Sequence, residues 1–309
     1  MTSEPSEALI PTRPAPRGVG RGLQHRLKRR LIEWTLAQGG EDLEERVRRL
    51  PWHELNEFGL DPYGLDPEFV IAAIAPIVWL YRNYFRVETY GAEHIPEGRV
   101  FLIANHSGQI PIDAAMIGIA AFLEADPPRI VRAMFEKWVP TLPYISIAFA
   151  RLGQVVGTPE NARRLLHQGE PILAFPEGVR GISKPIQQRY QLAEFGLGFM
   201  RLALETKTPI VPIAVVGAEE QYVSVANLKG LGKLLGIPAV PVIPQLLVPV
   251  LGWLPLPTKY RIFFGEPLEF SGNPDDEDAV IEEKVKVVKN AIQSMLRDGL
   301  RRRESVFFG

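Results

Sequence analysis

Two short segments carry side chains suited to activating a hydroxyl group. The first reads Asn105-His106-Ser107-Gly108-Gln109-Ile110-Pro111-Ile112-Asp113 and follows an apolar run. A neutral imidazole accepts a hydroxyl proton near neutral pH. A carboxylate on its other nitrogen fixes the tautomer and stabilises the imidazolium that forms. Pro111 suits the first turn of a helix, and Asp113 close behind it is favoured as the anion by the helix dipole. A plain structural reading fits the same residues: His106 ends a strand and Asp113 caps a helix. Spacing alone does not choose between them. The second segment, Ile172-Leu173-Ala174-Phe175-Pro176-Glu177-Gly178-Val179-Arg180, is another apolar run entering a turn. Pro and Gly there need no function beyond the turn. Arg180 offers a rigid fork for a phosphate or carboxylate, and Glu177 either pairs with it or holds the loop.

These side chains need a scaffold, and the periodicity supplies one. From residue 100 onward, apolar β-branched runs at 100–104, 130–134, 154–156, 172–175 and 210–216 are interleaved with helical patterns at 112–123, 142–152, 160–168 and 193–205. That alternation predicts a three-layer α/β domain around a largely parallel, buried sheet. Parallel strands deliver their following loops to one edge, so His106 and Arg180 are expected to line one cleft. A late strand is expected at 260–264. Asn273-Pro274 is expected to open a helix whose Ile281, Val285, Val288, Ile292 and Leu296 form one stripe. The division expected is a disordered leader at 1–17, a helical membrane-associating region at 18–86, the main domain at 87–272, and a C-terminal helix and tail at 273–309.

Composition limits the chemistry. Lys+Arg 35 against Asp+Glu 36 leaves a formal net charge of -1, so no global field gathers nucleic acid. Cysteine is absent, which removes disulfides, thiolate metal ligands and a Cys nucleophile. His25, His53, His94 and His167 lack ligand spacing with acids or each other and read as surface residues, which leaves no metal site. No apolar secretory signal opens the chain, so a cytoplasmic location is expected, peripheral or monotopic at a membrane. The apolar run at 69–81 is too short to span a bilayer and contains Pro76. The proline-rich stretch at 237–257 reads as an apolar loop, either buried or membrane-facing, with Trp253 as its interfacial anchor in the second case. Residues 21–37 set Leu23, Leu27, Leu31 and Trp34 beside Arg26, Lys28, Arg29 and Arg30, a basic amphipathic helix that either lies on a membrane or packs with a solvated face.

In order and spacing, residues 87–270 resemble the glycerolipid acyltransferase superfamily of lysophosphatidate acyltransferase type. The likeness rests on Asn105 to Asp113, Phe135-Glu136-Lys137, Gly153, Phe175 to Arg180, Val211-Pro212-Ile213 and Phe264-Gly265-Glu266-Pro267-Leu268. It implies transfer of a fatty acyl group from acyl-CoA or acyl-carrier protein to a lipid hydroxyl, with His106 as general base, Asp113 as its partner and no covalent acyl-enzyme. It further implies substrate contacts from Ser107, Lys137, Glu177, Gly178 and Arg180, no bound cofactor or metal, and membrane lipid as partner. Two departures stand out. Six residues separate His106 from Asp113 where the family usually has four, a lengthening that resembles the diacylglycerol acyltransferase-like branch. Thr158 also falls in the stretch where the family often has a phosphate-holding Arg, which points to a neutral or zwitterionic acceptor.

Other chemistries stand beside this one. A lipid-binding scaffold would keep the fold without turnover, and a thioesterase or lipid hydrolase would use water in place of the alcohol. No Gly-x-Ser-x-Gly elbow occurs, against an ordinary α/β-hydrolase. The glycine-rich stretches at 18–22 and 230–233 lack the context of a nucleotide-binding loop.

Overall fold

The computed structural model describes residues 30, 42–53, 55–106, 110–182, 184–228, 240–248, 252 and 254–308. The leader at 1–17, the basic segment at 21–37 apart from Arg30, Ser107 and Trp253 lie outside the described residues. Seven strands form one sheet: β1 (Glu88–Tyr90), β2 (Val100–Ala104), β3 (Arg132–Phe135), β4 (Val155–Val156), β5 (Pro171–Ala174), β6 (Ile210–Val216) and, past a small antiparallel ribbon of β7 (Ala226–Leu228) and β8 (Val240–Val242), β9 (Arg261–Phe264). The order is β1-β9-β6-β2-β5-β3-β4. Strands β6, β2, β5, β3 and β4 run parallel, whereas β9 is antiparallel to β6 and carries β1 parallel to itself. All of β2 and β6 is buried, which is why both read as unbroken apolar runs rather than alternating ones.

Strand pleating sorts the core into two layers. Val100, Leu102 and Ala104 of β2 face the layer built by α1 (Pro67–Trp79) and α2 (Ile112–Leu123). Phe101 and Ile103 face the layer built by α4 (Pro159–His167), α6 (Gly198–Thr206) and α7 (Asp278–Arg302). Two short helices sit at the sheet edge, α3 (Ile145–Arg151) and α5 (Val179–Ile182). The stripe Ile281, Val285, Val288, Ile292 and Leu296 is buried against the second layer. Helix α7 also lies close to the sheet, since a Cβ on Gly299 would come within 2.7 Å of the Phe263 ring. Asp66 starts α1 by accepting from the Phe69 amide at 3.2 Å, with Pro67 at the first helical position. Past Pro76 the helix widens into a π turn (Leu80–Tyr84), closed by the Phe85 amide on the Leu80 carbonyl at 2.8 Å.

Several expectations are corrected. The C-terminal helix begins at Asp278, because Asn273 and Pro274 form a turn in which the Asn273 side chain accepts the Asp275 amide at 3.0 Å. Helix α6 begins at Gly198, five residues later than expected, because the amides of Ala193 and Gly196 are drawn to the Glu177 side chain and the Pro176 carbonyl. Strand β1 lies just past the region expected to be helical, at the start of the main domain, where no strand was expected. The 237–257 stretch contributes β8 and a 3-10 turn (Pro244–Leu247) rather than only loop. Two histidines read as surface residues are half-buried and paired. His53 contacts Glu170, and His94 meets the Phe264 carbonyl at 2.9 Å and Glu266 at 3.1 Å.

Candidate active site

The C-terminal ends of β2 and β5 lie side by side, and their register carries His106 opposite Glu177 one turn beyond the last paired residues, Ile103 and Ala174. There the ladder gives way to side chains. The Glu177 carboxylate accepts the His106 amide at 3.0 Å through Oε1. On the other flank the buried Asn105 side chain replaces strand pairing with β6: its Nδ2 donates to the Val215 carbonyl at 3.2 Å and its Oδ1 accepts the Val215 amide at 2.8 Å. The backbone that carries the imidazole is thus tied to both neighbouring strands.

The ring is held as tightly. His106 Nδ1 lies 2.8 Å from Asp113 Oδ2, and the other oxygen of Asp113 accepts the Ala114 amide at 2.8 Å in the first turn of α2. Asp113 is fully buried, whereas the His106 side chain keeps 14 % of its surface exposed. Phe175 stacks on the imidazole with centroids 4.0 Å apart and planes 21° from parallel. Gly181 presses on it from α5, where a Cβ would fall 2.9 Å from His106 Cβ. Pro111 precedes α2 and does not lie within it. With Nδ1 engaged by a carboxylate, the proton sits on Nδ1 and the lone pair is left on Nε2, which has no protein partner among the described residues. Tyr260, buried nearby and donating to Gln221 at 2.6 Å, is pushed far above the ordinary tyrosine range by burial, with the Asp113 charge adding to it.

The remaining sequence candidates are distributed unevenly. Both oxygens of Glu177 are occupied: besides the His106 amide, Oε2 accepts Lys184 Nζ at 3.1 Å and the Ala193 amide at 2.7 Å, and the side chain is wholly buried. Glu177 therefore holds the loop, and Lys184 occupies the place offered to Arg180. Arg180 is exposed and lies 3.5 Å from the exposed Glu194. Gly178 adopts φ +54, a left-handed turn residue close to Glu136. Lys137 is exposed in the turn after β3. Thr158 caps α4 by accepting the Asn161 amide at 3.2 Å. A cavity of about 80 Å³ lined by Trp52, His53, Arg129, Arg132 and Glu170 opens at the N-terminal ends of β3 and β5, the edge opposite His106. Sequence reasoning missed Asn105, Lys184 and Glu219 as supports of the site. Their side chains acquire meaning only through long-range contacts, and no local spacing announces them.

Fold and site together define a class: an α/β protein with a largely parallel sheet and a buried carboxylate behind one imidazole at the C-terminal strand edge. A family model described as Acyltransferase matches residues 86–216, which contain both segments. The chain is 36% identical over 260 residues to an uncharacterized protein of Mycobacterium tuberculosis, covering 82% of this chain and 73% of that one. It is 28% identical over 179 residues to a probable 1-acyl-sn-glycerol-3-phosphate acyltransferase of Mycoplasma genitalium, covering 54% and 63% respectively. It is 27% identical over 215 residues to a DGAT1/2-independent enzyme synthesizing storage lipids of Gallus gallus, covering 70% and 60%. Its fold matches the crystal structure of the 1-acyl-sn-glycerophosphate (LPA) acyltransferase, PlsC, from Thermotoga maritima, with a TM-score of 0.50 and 16% identity over 92% of this chain and 99% of that one. The protein belongs to the acyltransferase family that the family model describes.

Proposed function

We propose that the protein transfers a fatty acyl group from acyl-CoA or acyl-carrier protein to the hydroxyl of a membrane-resident lipid. The observation that carries this reading is the 2.8 Å contact between His106 Nδ1 and the buried Asp113. His106 Nε2 takes the acceptor proton while the oxygen attacks the thioester carbonyl. Asp113 stabilises the imidazolium, and the departing thiolate takes that proton back, so no acyl-enzyme forms. No cofactor or metal enters these steps.

The acceptor is a neutral or zwitterionic lipid. In the stretch where the family often carries a phosphate-holding Arg stands Thr158, whose hydroxyl is spent capping α4, and Arg180 is exposed beside Glu194. The relative named for storage-lipid synthesis supports the same direction, and the relatives named for 1-acyl-sn-glycerol-3-phosphate are the alternative that the assay separates.

Attachment to the bilayer is peripheral. No helix among the described residues is long and apolar enough to cross a membrane. Yet α1 is apolar from Phe69 to Trp79 while Pro76 and Trp79 are exposed, and α3 has no buried residue at all.

The test is an assay of the purified full chain with labelled acyl-CoA against lysophospholipids, lysophosphatidate, diacylglycerol and long-chain alcohols. Transfer product is expected, and His106→Ala is expected to lower turnover by about 10²–10⁴-fold with the fold intact. Full activity in His106→Ala would remove the mechanism. Free fatty acid without transfer product would mark a hydrolase, and binding without either product a scaffold.

A further inference from the structure

Lys184 lies just past the Pro-Glu-Gly turn and Glu219 just past β6, and neither belongs to the segments that carry the family likeness. The fold buries both: the side chains of Lys184, Glu177 and Glu219 keep 8%, 0% and 6% of their surface. A buried ammonium is costly unless paired, so its partners matter. Lys184 Nζ lies 3.1 Å from Glu177 Oε2, 3.4 Å from Glu219 Oε1 and 3.1 Å from the Gln191 carbonyl. The second oxygen of Glu219 accepts the Tyr190 amide at 2.9 Å. Glu177 in turn reaches His106 through its amide. A continuous chain of polar contacts therefore runs from the end of β6 to the backbone of the imidazole-bearing residue.

We propose that Lys184 and Glu219 are positioning residues which, through Glu177, fix the backbone of His106 so that its ring meets Asp113 on one side and substrate on the other. This rests on the reading of His106 as the base. Two carboxylates face one ammonium, and burial pushes the Glu219 carboxyl up to about 7, against the pull of Lys184 and the Tyr190 amide and with the push of Glu177. Near neutrality Lys184 then balances Glu177 while Glu219 holds the ammonium in place. Removing Lys184 leaves Glu177 as an unbalanced buried charge, which either takes a proton or turns toward water, and in both cases its grip on the His106 amide weakens. Lys184 Nζ is engaged by Glu177, Glu219 and the Gln191 carbonyl and reaches His106 only through Glu177, so its loss is expected to misplace the base.

The experiment uses the full chain and compares wild type, Lys184→Met, Lys184→Arg and Glu219→Gln by steady-state transfer kinetics and by the NMR signal of the His106 Nδ1 proton. That signal is assigned by its loss in His106→Ala. Lys184→Met is expected to lower kcat by about 10–100-fold, the size of a small misplacement of a catalytic group, while KM for donor and acceptor stays within about twofold. The Nδ1 proton signal is expected to shift or broaden in Lys184→Met, and both readouts are expected to recover in Lys184→Arg. An unchanged kcat with an unchanged signal overturns the proposal, and so does a loss confined to KM. If Lys184→Met does not fold, Glu219→Gln carries the test: it is expected to lower kcat with KM held within about twofold and to shift or broaden the Nδ1 proton signal, and an unchanged kcat with an unchanged signal overturns the proposal. If the wild type transfers no acyl group, the functional reading fails. The Nδ1 signal across the variants then still decides whether Lys184 positions His106.

Discussion

His106 owes its placement to the residues packed and hydrogen-bonded around it. Asn105 and Glu177 tie its backbone to the two adjoining strands, Phe175 and Gly181 bracket its side chain, and Asp113 orients the ring. The sequence displayed the reactive types but not this division of labour. Asp113 is legible because a carboxylate near a helix start has a local reason to be there, even with six residues between it and His106. Glu177 and Arg180 look alike as turn-flanking charges, and only tertiary packing buries the first and leaves the second in solvent. The buried acid at Glu219 has a measurable consequence of its own. Burial pushes its carboxyl from the ordinary glutamate value of 4.5 up to about 7, so the folded protein binds more protons than the unfolded chain between those values. Stability attributable to this group is therefore present below about pH 4.5 and lost as pH rises through about 7. Thermal melts of Glu219→Gln against wild type should show a smaller stability loss between pH 5 and 8, by up to about 3 kcal/mol. Parallel curves would deny the shift.

At the level of elements, legibility followed the kind of signal. The strand at 100–104, the helix at 112–123 and the strand at 210–216 stand where periodicity put them, because a buried strand or an amphipathic helix writes its own pattern. Boundaries slipped where another element borrowed backbone amides, as at Ala193 and Gly196 beside Glu177 and Pro176. Strands β1 and β7 escaped because Glu88-Thr89-Tyr90 and Ala226-Asn227-Leu228 form no apolar β-branched run of the kind that marked β4; β1 exists through its pairing of Glu88 to Tyr90 with Arg261 to Phe263. The stripe on α7 belongs to the legible class and makes this helix a layer of the main domain. Ile292 at its centre is fully buried against the sheet. Ile292→Ala should cost about 2–5 kcal/mol through lost burial and a residual cavity, lowering the melting temperature by several degrees in calorimetry. Because α7 lies on the face away from α1 and α2, turnover per folded molecule should stay near wild type. A variant as stable as wild type would show that the helix is not docked as described.

The whole molecule distributes its exposed apolar side chains unevenly. Ile110, Tyr144, Ile145, Ile147, Leu246, Leu247, Val248 and Leu254 all lie in connections that leave the C-terminal ends of β2, β3 or β6, the edge that also carries His106. Helix α1 joins two of these groups. Arg151 of α3 stacks over the Phe69 ring at 5.8 Å, and the Tyr84 hydroxyl beyond its other end donates to the Pro255 carbonyl at 2.5 Å. The flanking sequence is one-sided in charge: residues 137–159 contain Lys137 and Arg151 and no acid, and residues 221–265 contain Lys229, Lys233, Lys259 and Arg261 and no acid. Lys259 and Arg261 are paired with Glu88, so hydrophobic burial of this exposed apolar edge would give most of the affinity for a bilayer surface, and Lys137 and Arg151 an attraction that salt screens. Tyr144 and Leu247 are 83% and 85% exposed, so replacing them disturbs no core. The pair Tyr144→Glu and Leu247→Glu should therefore lower partition onto vesicles containing phosphatidylglycerol by tenfold or more, since about 1.4 kcal/mol suffices and burying one such side chain is worth roughly 1.5–3 kcal/mol. Turnover of a water-soluble short-chain acceptor should be unchanged in the same variant. Vesicle sedimentation at low and high salt reads the first effect and a soluble-substrate assay the second. Undiminished vesicle binding would refute this edge as a membrane-contacting surface.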